Sequence, residues 1–375
     1  MGTFLYILYI LLAIVILLFM VLVHELGHYI AGRILKFKIT EFSIGFGKAI
    51  FSKTNKRGEK ISLRVFPLGG YCSFAGEGDE ENSPRAGDFN SFAPWKRIIV
   101  FLAGVTMNFL TAILFSLILL CTYGGRDIVR VDKIDPSYES AIVLNEGDII
   151  YKVGDQKLDI AFGTTFNNAF SYELAQAKKF ADQEDKKITD YTFSAFVRHS
   201  NGKSETIDGI KFIERDKLDD EGNPVLNEEG DVIKEYTLGI TASFYVHSFW
   251  EALGRCWSYA FGLAWIVLKS LWQLLTFQIA INNIGGPIST ITAIATASQA
   301  NFANLLILIP LISANLAVFN LLPFPALDGS HVLFTTIEWI RKKPINRKVE
   351  NTIHFVGLCI LFSFIIIVDI LHFVL

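Results

Sequence analysis

His24, Glu25 and His28 stand in the run His24-Glu25-Leu26-Gly27-His28, residue types whose spacing can hold a metal and use it. On a helix, positions four apart share a face, so both imidazoles can reach one zinc ion, with Glu25 beside them to take a proton from water. That is the equipment of a zinc hydrolase. The alternatives are a chance match, or two histidines hydrogen-bonded across packed helices. The pentapeptide closes an apolar run, residues 4–23, that carries no charge and, at about twenty residues, can cross a bilayer. Ionisable groups at such a place are costly and need a partner as strong as a divalent cation.

A second cluster follows the apolar residues 305–322: Asn320-Leu321-Leu322-Pro323-Phe324-Pro325-Ala326-Leu327-Asp328-Gly329. Pro323 and Pro325 cannot continue a regular helix, so the backbone is expected to unwind, which at membrane depth is tolerated inside protein or beside a watery cavity. Asp328 then falls at the inner end of an inward-running helix, at the depth of His28, and is the expected third zinc ligand. Its other possible work is to cap the next helix, and His331 is an alternative ligand.

The elements that must position these groups are read from composition. The 375 residues are 51% hydrophobic with formal net charge -3, which points to several membrane spans plus one soluble module and to no nucleic-acid partner. The scattered Cys72, Cys121, Cys256 and Cys359 are expected neither to pair nor to bind metal. No Lys or Arg precedes Arg33, so the first apolar run lacks the basic region of a signal peptide and reads as a retained span. Arg33, Lys36, Lys38, Lys48, Lys53, Lys56, Arg57, Lys60 and Arg64 follow, which places this loop in the cytoplasm and the N-terminus outside.

Residues 42–47 and 61–71 alternate in a β-prone pattern with interspersed glycines and predict short strands or a β-hairpin dipping toward the first helix. The hairpin is either a plain amphipathic element or an edge that pairs with an unwound substrate segment. Residues 76–89 read as a mobile acidic loop. Residues 98–123 form the second span, whose Ala103, Gly104, Thr106, Asn108 and Thr111 suggest a face packed closely on another helix. Asn108 either makes an interhelical hydrogen bond or reaches the metal site. From 128 to 240 the composition is that of a soluble domain, with strands at 129–134 and 148–153, a short helix at 137–144, and a hairpin of 191–199 with 204–210 about Asn201-Gly202. The charged residues 216–231 read as solvated decoration.

Residues 256–277 are apolar and aromatic but contain Lys269 and Gln273. If they crossed the membrane, the basic cluster Arg341, Lys342, Lys343, Arg347 and Lys348 would be delivered outside, so they are read as an amphipathic or re-entrant helix on the outer face. Residues 283–288 break the chain behind it. Residues 305–322 are the third span and 353–374 the last, with His354, Asp369 and His372 at the interfaces. The expected architecture is a polytopic α-helical membrane protein with four transmembrane helices, a cytoplasmic membrane-associated β-hairpin region and one extracytoplasmic α+β domain. It divides at 1–127, 128–241, 242–300 and 301–375.

Asn145-Glu146-Gly147-Asp148-Ile149-Ile150-Tyr151-Lys152-Val153-Gly154-Asp155-Gln156 resembles part of a PDZ domain, without the usual Gly-rich loop that grips a peptide's C-terminal carboxylate. With that insert and the two zinc motifs in this order, the chain as a whole resembles the site-2 protease family of intramembrane zinc proteases. Within that family it is most similar to the bacterial regulator-of-sigma-E branch, which cleaves membrane-bound anti-sigma factors. The resemblance implies that His24, His28 and Asp328 bind Zn2+ and that Glu25 is the general base. It further implies that Asn320 contacts or destabilises the substrate helix and that Gly69, Gly70 and Tyr71 belong to a membrane-dipping, substrate-binding β-loop. Single-pass membrane proteins, of anti-sigma-factor type or remnant signal peptides, would be the substrates in the bacterial inner membrane. A PDZ-like module outside would screen them by size after a first protease has trimmed them. The rivals are an intramembrane metal or proton-coupled transporter, which has no need of Glu25 next to His24 and for which no inverted repeat is found, and a silent scaffold, which would not need the catalytic residues present.

Overall fold

Five helices among the described residues are long and apolar enough to cross a membrane, one more than the four expected: Phe4–Ile34, Pro94–Thr122, Phe249–Leu275, Phe302–Leu321 and Arg347–Ile370. The additional one is the stretch expected to be amphipathic or re-entrant. Its backbone is a single unbroken helix, so it is not re-entrant, and it is the least apolar of the five. Trp250, Trp257, Phe261, Trp265 and Trp272 are all exposed on it, while aliphatic residues such as Leu263, Ile266, Val267, Leu268 and Leu271 offset Lys269 and Gln273.

The computed structural model describes residues 2–77, 85–141, 143–219, 223–227, 230–278 and 285–374. The chain runs α1 (Gly2–Ile34), β1 (Ile39–Thr54), β2 (Lys60–Phe74), α2 (Pro94–Thr122), β3 (Val129–Ile134), β4 (Ile149–Val153), β5 (Gln156–Lys157), α3 (Phe166–Glu184), β6 (Thr192–Arg198) and β7 (Ser204–Lys211). It continues through β8 (Ile213–Asp216), β9 (Lys234–Thr237), β10 (Ile240–Phe244), α4 (Phe249–Leu275), α5 (Pro287–Ala300), α6 (Phe302–Leu321), α7 (Asp328–Arg341) and α8 (Arg347–Val374). Two compact units result, one of residues 1–115 and 263–375, the other of 116–262.

In the first unit α1 ends where Lys36 turns left-handed (φ 66°) and Phe37 N–H reaches back 2.8 Å to the Gly32 carbonyl, which satisfies a carbonyl the helix leaves open. The expected hairpin is longer than predicted and folds back on itself. Residues 41–44 pair with 60–63 on one side and with 70–73 on the other, while 51–54 pair with 60–63. Bends at Gly45 and Gly47, both at positive φ, allow this; a Cβ at Gly45 would lie 2.6 Å from the Phe66 carbonyl oxygen, so a side chain there is excluded. Phe37, Phe74, Phe89 and Phe101 pack together beneath the sheet. The loop expected to be mobile is therefore anchored at its end by buried Phe89, while its residues 78–84 lie outside the described residues.

α6 breaks at the prolines as expected: Leu322 is extended and Ala326 has φ 80°. Of the predicted break at 283–288, residues 283 and 284 lie outside the described residues. The rest leads into α5, whose first amides, Ile288 N–H and Ser289 N–H, donate to the Asp369 carboxylate at 3.3 Å each. Asp369, expected at an interface, is instead a buried helix cap supplied by α8. His354 also turns inward, accepting a hydrogen bond from Ala326 N–H at 3.0 Å. The side chain of His372 lies outside the described residues. All four cysteines are free.

The second unit is built on an antiparallel sheet in the order β10-β3-β4-β6-β7, with β5 beside β4. β3 has the expected limits, β4 ends in the expected turn at Gly154-Asp155, and β6 and β7 turn at Gly202 (φ 85°). The predicted short helix at 137–144 is a 3-10 turn, Pro136–Ala141. α3 was not anticipated, because only a narrow face, Ala169, Glu173 and Ala177, is buried. Val131, Ile150, Val153, Val197 and Phe212 fill the core. Beyond Asp216, which ends β8, the described part of 217–231 is exposed apart from half-buried Val225 and carries isolated bridges such as Leu226 to Val232.

Candidate metal centre

α1 presents His24 and His28 one turn apart on one face, both buried. Their Nε2 atoms lie 3.1 Å apart, and Asp328 Oδ2, from the first turn of α7, lies 3.0 Å from His24 Nε2 and 3.4 Å from His28 Nε2. Tetrahedral ligands about 2.0–2.1 Å from a zinc ion stand about 3.3 Å apart, so the triangle has the size such an ion requires.

The surrounding hydrogen bonds decide which atoms face inward. His28 Nδ1 lies 2.8 Å from the Val100 carbonyl oxygen, which only an N–H can satisfy, so Nε2 carries the lone pair. His24 Nδ1 lies 3.2 Å from the Asn108 side-chain amide, whose Oδ1 is buried without a partner. Turning that amide end for end puts Oδ1 on His24 Nδ1–H and frees the second Nε2 lone pair. Asp328 Oδ2 is itself buried and makes no hydrogen bond among the described residues. Three lone-pair atoms at 3.0–3.4 Å repel one another unless a cation lies between them, so the donor set fits a divalent metal. Zinc suits two imidazoles and a carboxylate with a fourth position left open.

Helix packing makes room for this. A Cβ on Gly104 of α2 would lie 2.4 Å from His28 Nε2 and 2.8 Å from His24 Cε1, and one on Gly27 would lie 2.3 Å from the Ala103 carbonyl oxygen. The imidazoles therefore occupy the space that Gly104 leaves empty. Sequence reasoning placed Gly104 on a packed face without assigning it to the site; the Ala103-Gly104 pair opposite Gly27 was the available signal. Asn108 fulfils both roles proposed for it, since its bond crosses between helices and ends on a ligand's outer nitrogen. Its backbone carbonyl also accepts from Ser313 Oγ at 2.7 Å, which ties α6 to the same point.

Asp328 follows Leu327, which is the residue at the cap position of α7, so Asp328 is not the cap. A Cβ on Gly329 would lie 2.2 Å from the Leu321 carbonyl oxygen; the broken backbone packs so tightly on the end of α6 that only glycine fits. His331 does not join the triangle. It stacks on His354 at 4.0 Å with the rings 13° from parallel, and on Phe101 at 4.9 Å. Together with Glu350 these histidines are close enough to suggest a second metal group. Face-to-face rings, however, do not aim their in-plane lone pairs at one point, and Glu350 is held by Arg347.

Glu25 is next to the triangle, and a Cβ on Gly70 would lie 3.3 Å from its Cγ, so β2 passes directly beside it. Of the other expected site residues, Gly69 (φ 123°) packs under Phe46, and Tyr71 stacks on Phe46 and receives Arg64 over its ring. Asn320 is half-buried in the last turn of α6. Outside the membrane helices, Glu41 is half-buried at some cost to its charge. Hydrogen bonds from Ser62, Arg64 and Tyr71 outweigh that and hold its carboxyl at about 2.

A His-His-Asp site beside a glutamate, set among membrane-length helices, defines a membrane-embedded metallohydrolase. Residues 12–364 match the model of peptidase family M50, and the chain belongs to that family, the site-2 proteases, whose metal is zinc. It is 25% identical over 416 residues to the regulator of sigma E protease of Haemophilus influenzae, covering 92% of this chain and 94% of that protein. Two proteins that bear zinc-metalloprotease names are similar at comparable levels. One, of Campylobacter jejuni, is 27% identical over 92% of this chain and 88% of its own length; the other, of Fusobacterium nucleatum, is 29% identical over 96% and 97%.

Proposed function

We propose that this protein cleaves single-pass membrane proteins within the bilayer of the bacterial inner membrane, acting on anti-sigma-factor-type substrates or remnant signal peptides that another protease has already trimmed. The observation that carries this reading is the triangle of His24, His28 and Asp328 with Glu25 alongside, the histidines and the glutamate standing on a helix that is uncharged before them. Zinc bound there would supply Lewis acidity toward a water and a peptide carbonyl. Glu25 takes the proton from water at its carboxylate and returns it to the leaving amine.

A helical substrate shields its own carbonyls and must unwind first. The strand at 70–74 pairs with β1 along one edge, and among the described residues no strand occupies the other, which leaves backbone groups available beside Glu25. Gly69 and Gly70 keep side chains out of the way, Tyr71 flanks the edge, and Asn320 offers an amide to backbone that the broken end of α6 receives. The basic residues after α1 and around the start of α8 support a cytoplasmic position for those ends, with the N-terminus and the sheet unit outside and α4 lying along the outer face instead of crossing. We read that unit as a PDZ-like filter that admits shortened substrates.

Glu25→Gln is expected to keep zinc and fold while abolishing cleavage of a membrane-anchored substrate truncated on its outer side. Undiminished cleavage by the purified variant would remove Glu25 as the base.

A further inference from the structure

Where α2 and α8 begin, the first unit contains a cavity of about 410 Å³ lined by Arg97, Lys342, Lys343 and Arg347 around a single carboxylate, Glu338, with Trp339 at its side. Pro94 and Arg347, the first residues of α2 and α8, also line it, so the positive ends of two helix dipoles open on it. The end of α7 contributes the opposite sign, which Lys342 and Lys343 offset.

The buried charges are partly paired. Arg97 Nη2 meets Glu338 Oε2 at 2.6 Å, Arg347 Nη2 meets Glu338 Oε1 at 2.7 Å, and Arg347 Nη1 meets Glu350 Oε2 at 2.5 Å. Counting Glu350, two positive charges remain in excess. Arg97 is 5% exposed, and its Nε–H has no hydrogen-bond partner. A buried guanidinium N–H left open costs about 1–3 kcal/mol or more, so the described residues alone do not satisfy Arg97. Lys342 and Lys343 are exposed at the rim.

The surroundings place this cavity at the level of lipid headgroups. It lies at the first residues of two membrane-length helices. Trp95, Trp339 and Ile340 are exposed around it, as interfacial aromatic and apolar anchors are, and Lys96, Arg341 and Lys348 add to the basic surface. A soluble anion has no use for the apolar rim, whereas a lipid can set its phosphate among the cations and its glycerol and acyl chains along Trp339 and Ile340. We propose that the cavity binds the phosphate of an anionic phospholipid, with Lys342 and Lys343 at the rim and Arg97 and Arg347 at the floor. Because α7 runs from this cavity to Asp328, the lipid would brace the helix that carries the third metal ligand.

Native mass spectrometry of the full chain released from phosphatidylcholine nanodiscs containing a minority of phosphatidylglycerol tests this. Wild type is expected to retain phosphatidylglycerol in preference to phosphatidylcholine. Lys342→Ala with Lys343→Ala should lower retention about thirtyfold, at about fivefold per basic residue near a membrane surface. Arg341→Ala with Lys348→Ala, which removes two neighbouring charges that do not line the cavity, should leave it within about twofold. Equal retention by wild type and the Lys342/Lys343 variant would overturn the proposal, as would an equal loss in the Arg341/Lys348 control. Displacement by excess inorganic phosphate would show a soluble phosphate site and overturn the lipid assignment.

Discussion

Replacing Gly104 with alanine adds one methyl group to the face of α2 that meets the two imidazoles. That methyl would lie 2.4 Å from His28 Nε2 and 2.8 Å from His24 Cε1, where ordinary contact begins at 3.4 Å. The overlap with the metal-binding nitrogen is thus about 1 Å. α2 cannot retreat toward a looser position without losing the packing that Gly27 permits, at 2.3 Å from the Ala103 carbonyl oxygen to a would-be Cβ. His28 cannot easily turn, because its Nδ1 is bound to the Val100 carbonyl of α2 itself at 2.8 Å. Overpacking of this kind costs about 1–3 kcal/mol, and here it falls on the geometry of the ligands. Zinc affinity is therefore expected to drop about 5- to 150-fold, at about tenfold per 1.4 kcal/mol. Chelator competition on the detergent-purified chain, read by metal analysis, measures this. Gly254→Ala is the control: nothing lies within 4 Å of a Cβ there, so the change should leave zinc affinity untouched and, on an exposed helix, stabilise by up to about 1 kcal/mol. If Gly104→Ala binds zinc within about twofold of wild type, the close approach of α1 and α2 at the imidazoles is wrong.

Three further outcomes follow from the same geometry. Asn108→Ala removes the group that orients His24 through Nδ1 while sparing the backbone carbonyl that Ser313 uses; zinc affinity should fall about 10- to 100-fold with little change in thermal unfolding, and an unchanged affinity would sink the orienting role. Gly329→Ala should drive the start of α7 off the end of α6, given the 2.2 Å approach to the Leu321 carbonyl, so loss of bound zinc is expected to accompany loss of cleavage. In the sheet unit, hydrogen bonds to Asp148 at 2.7 Å and Glu205 at 3.1 Å raise the pKa of His199. A raised folded-state value means that the contribution is complete below the unfolded imidazole value of about 6.5 and fades as pH climbs through the folded one. Heating curves for the unit in the full chain should therefore shift downward as pH rises above the unfolded imidazole value of about 6.5, and His199→Gln should flatten the shift; parallel curves for the two proteins would count against it.

What could be read before folding was whatever depends on neighbours along the chain. His24 and His28 share a face because a helix turns in 3.6 residues, and Pro323 and Pro325 end α6 because neither can extend it. β3 and the β6-β7 hairpin followed from alternation and an Asn-Gly turn. α3 escaped because its buried face is narrow, and the stretch from Phe249 to Leu275 is long enough to cross yet rich in aromatic residues that suit a span and an interface equally.

The amino-acid sequence by itself determined the chemistry on offer: two imidazoles and a carboxylate on one helix, an aspartate behind a forced break, and enough apolar length to place them in a membrane. Only the tertiary structure decided that Asp328 Oδ2 comes within 3.0 Å and 3.4 Å of the two imidazole nitrogens. It also showed that Gly104 vacates the space they fill, that Asn108 turns His24, and that β1 and β2 fold into one sheet that passes beside Glu25. Side-chain type and helical period are local properties. The convergence of atoms some three hundred positions apart is set by how closely helices can approach, and that depends on which of them carry glycine where they touch.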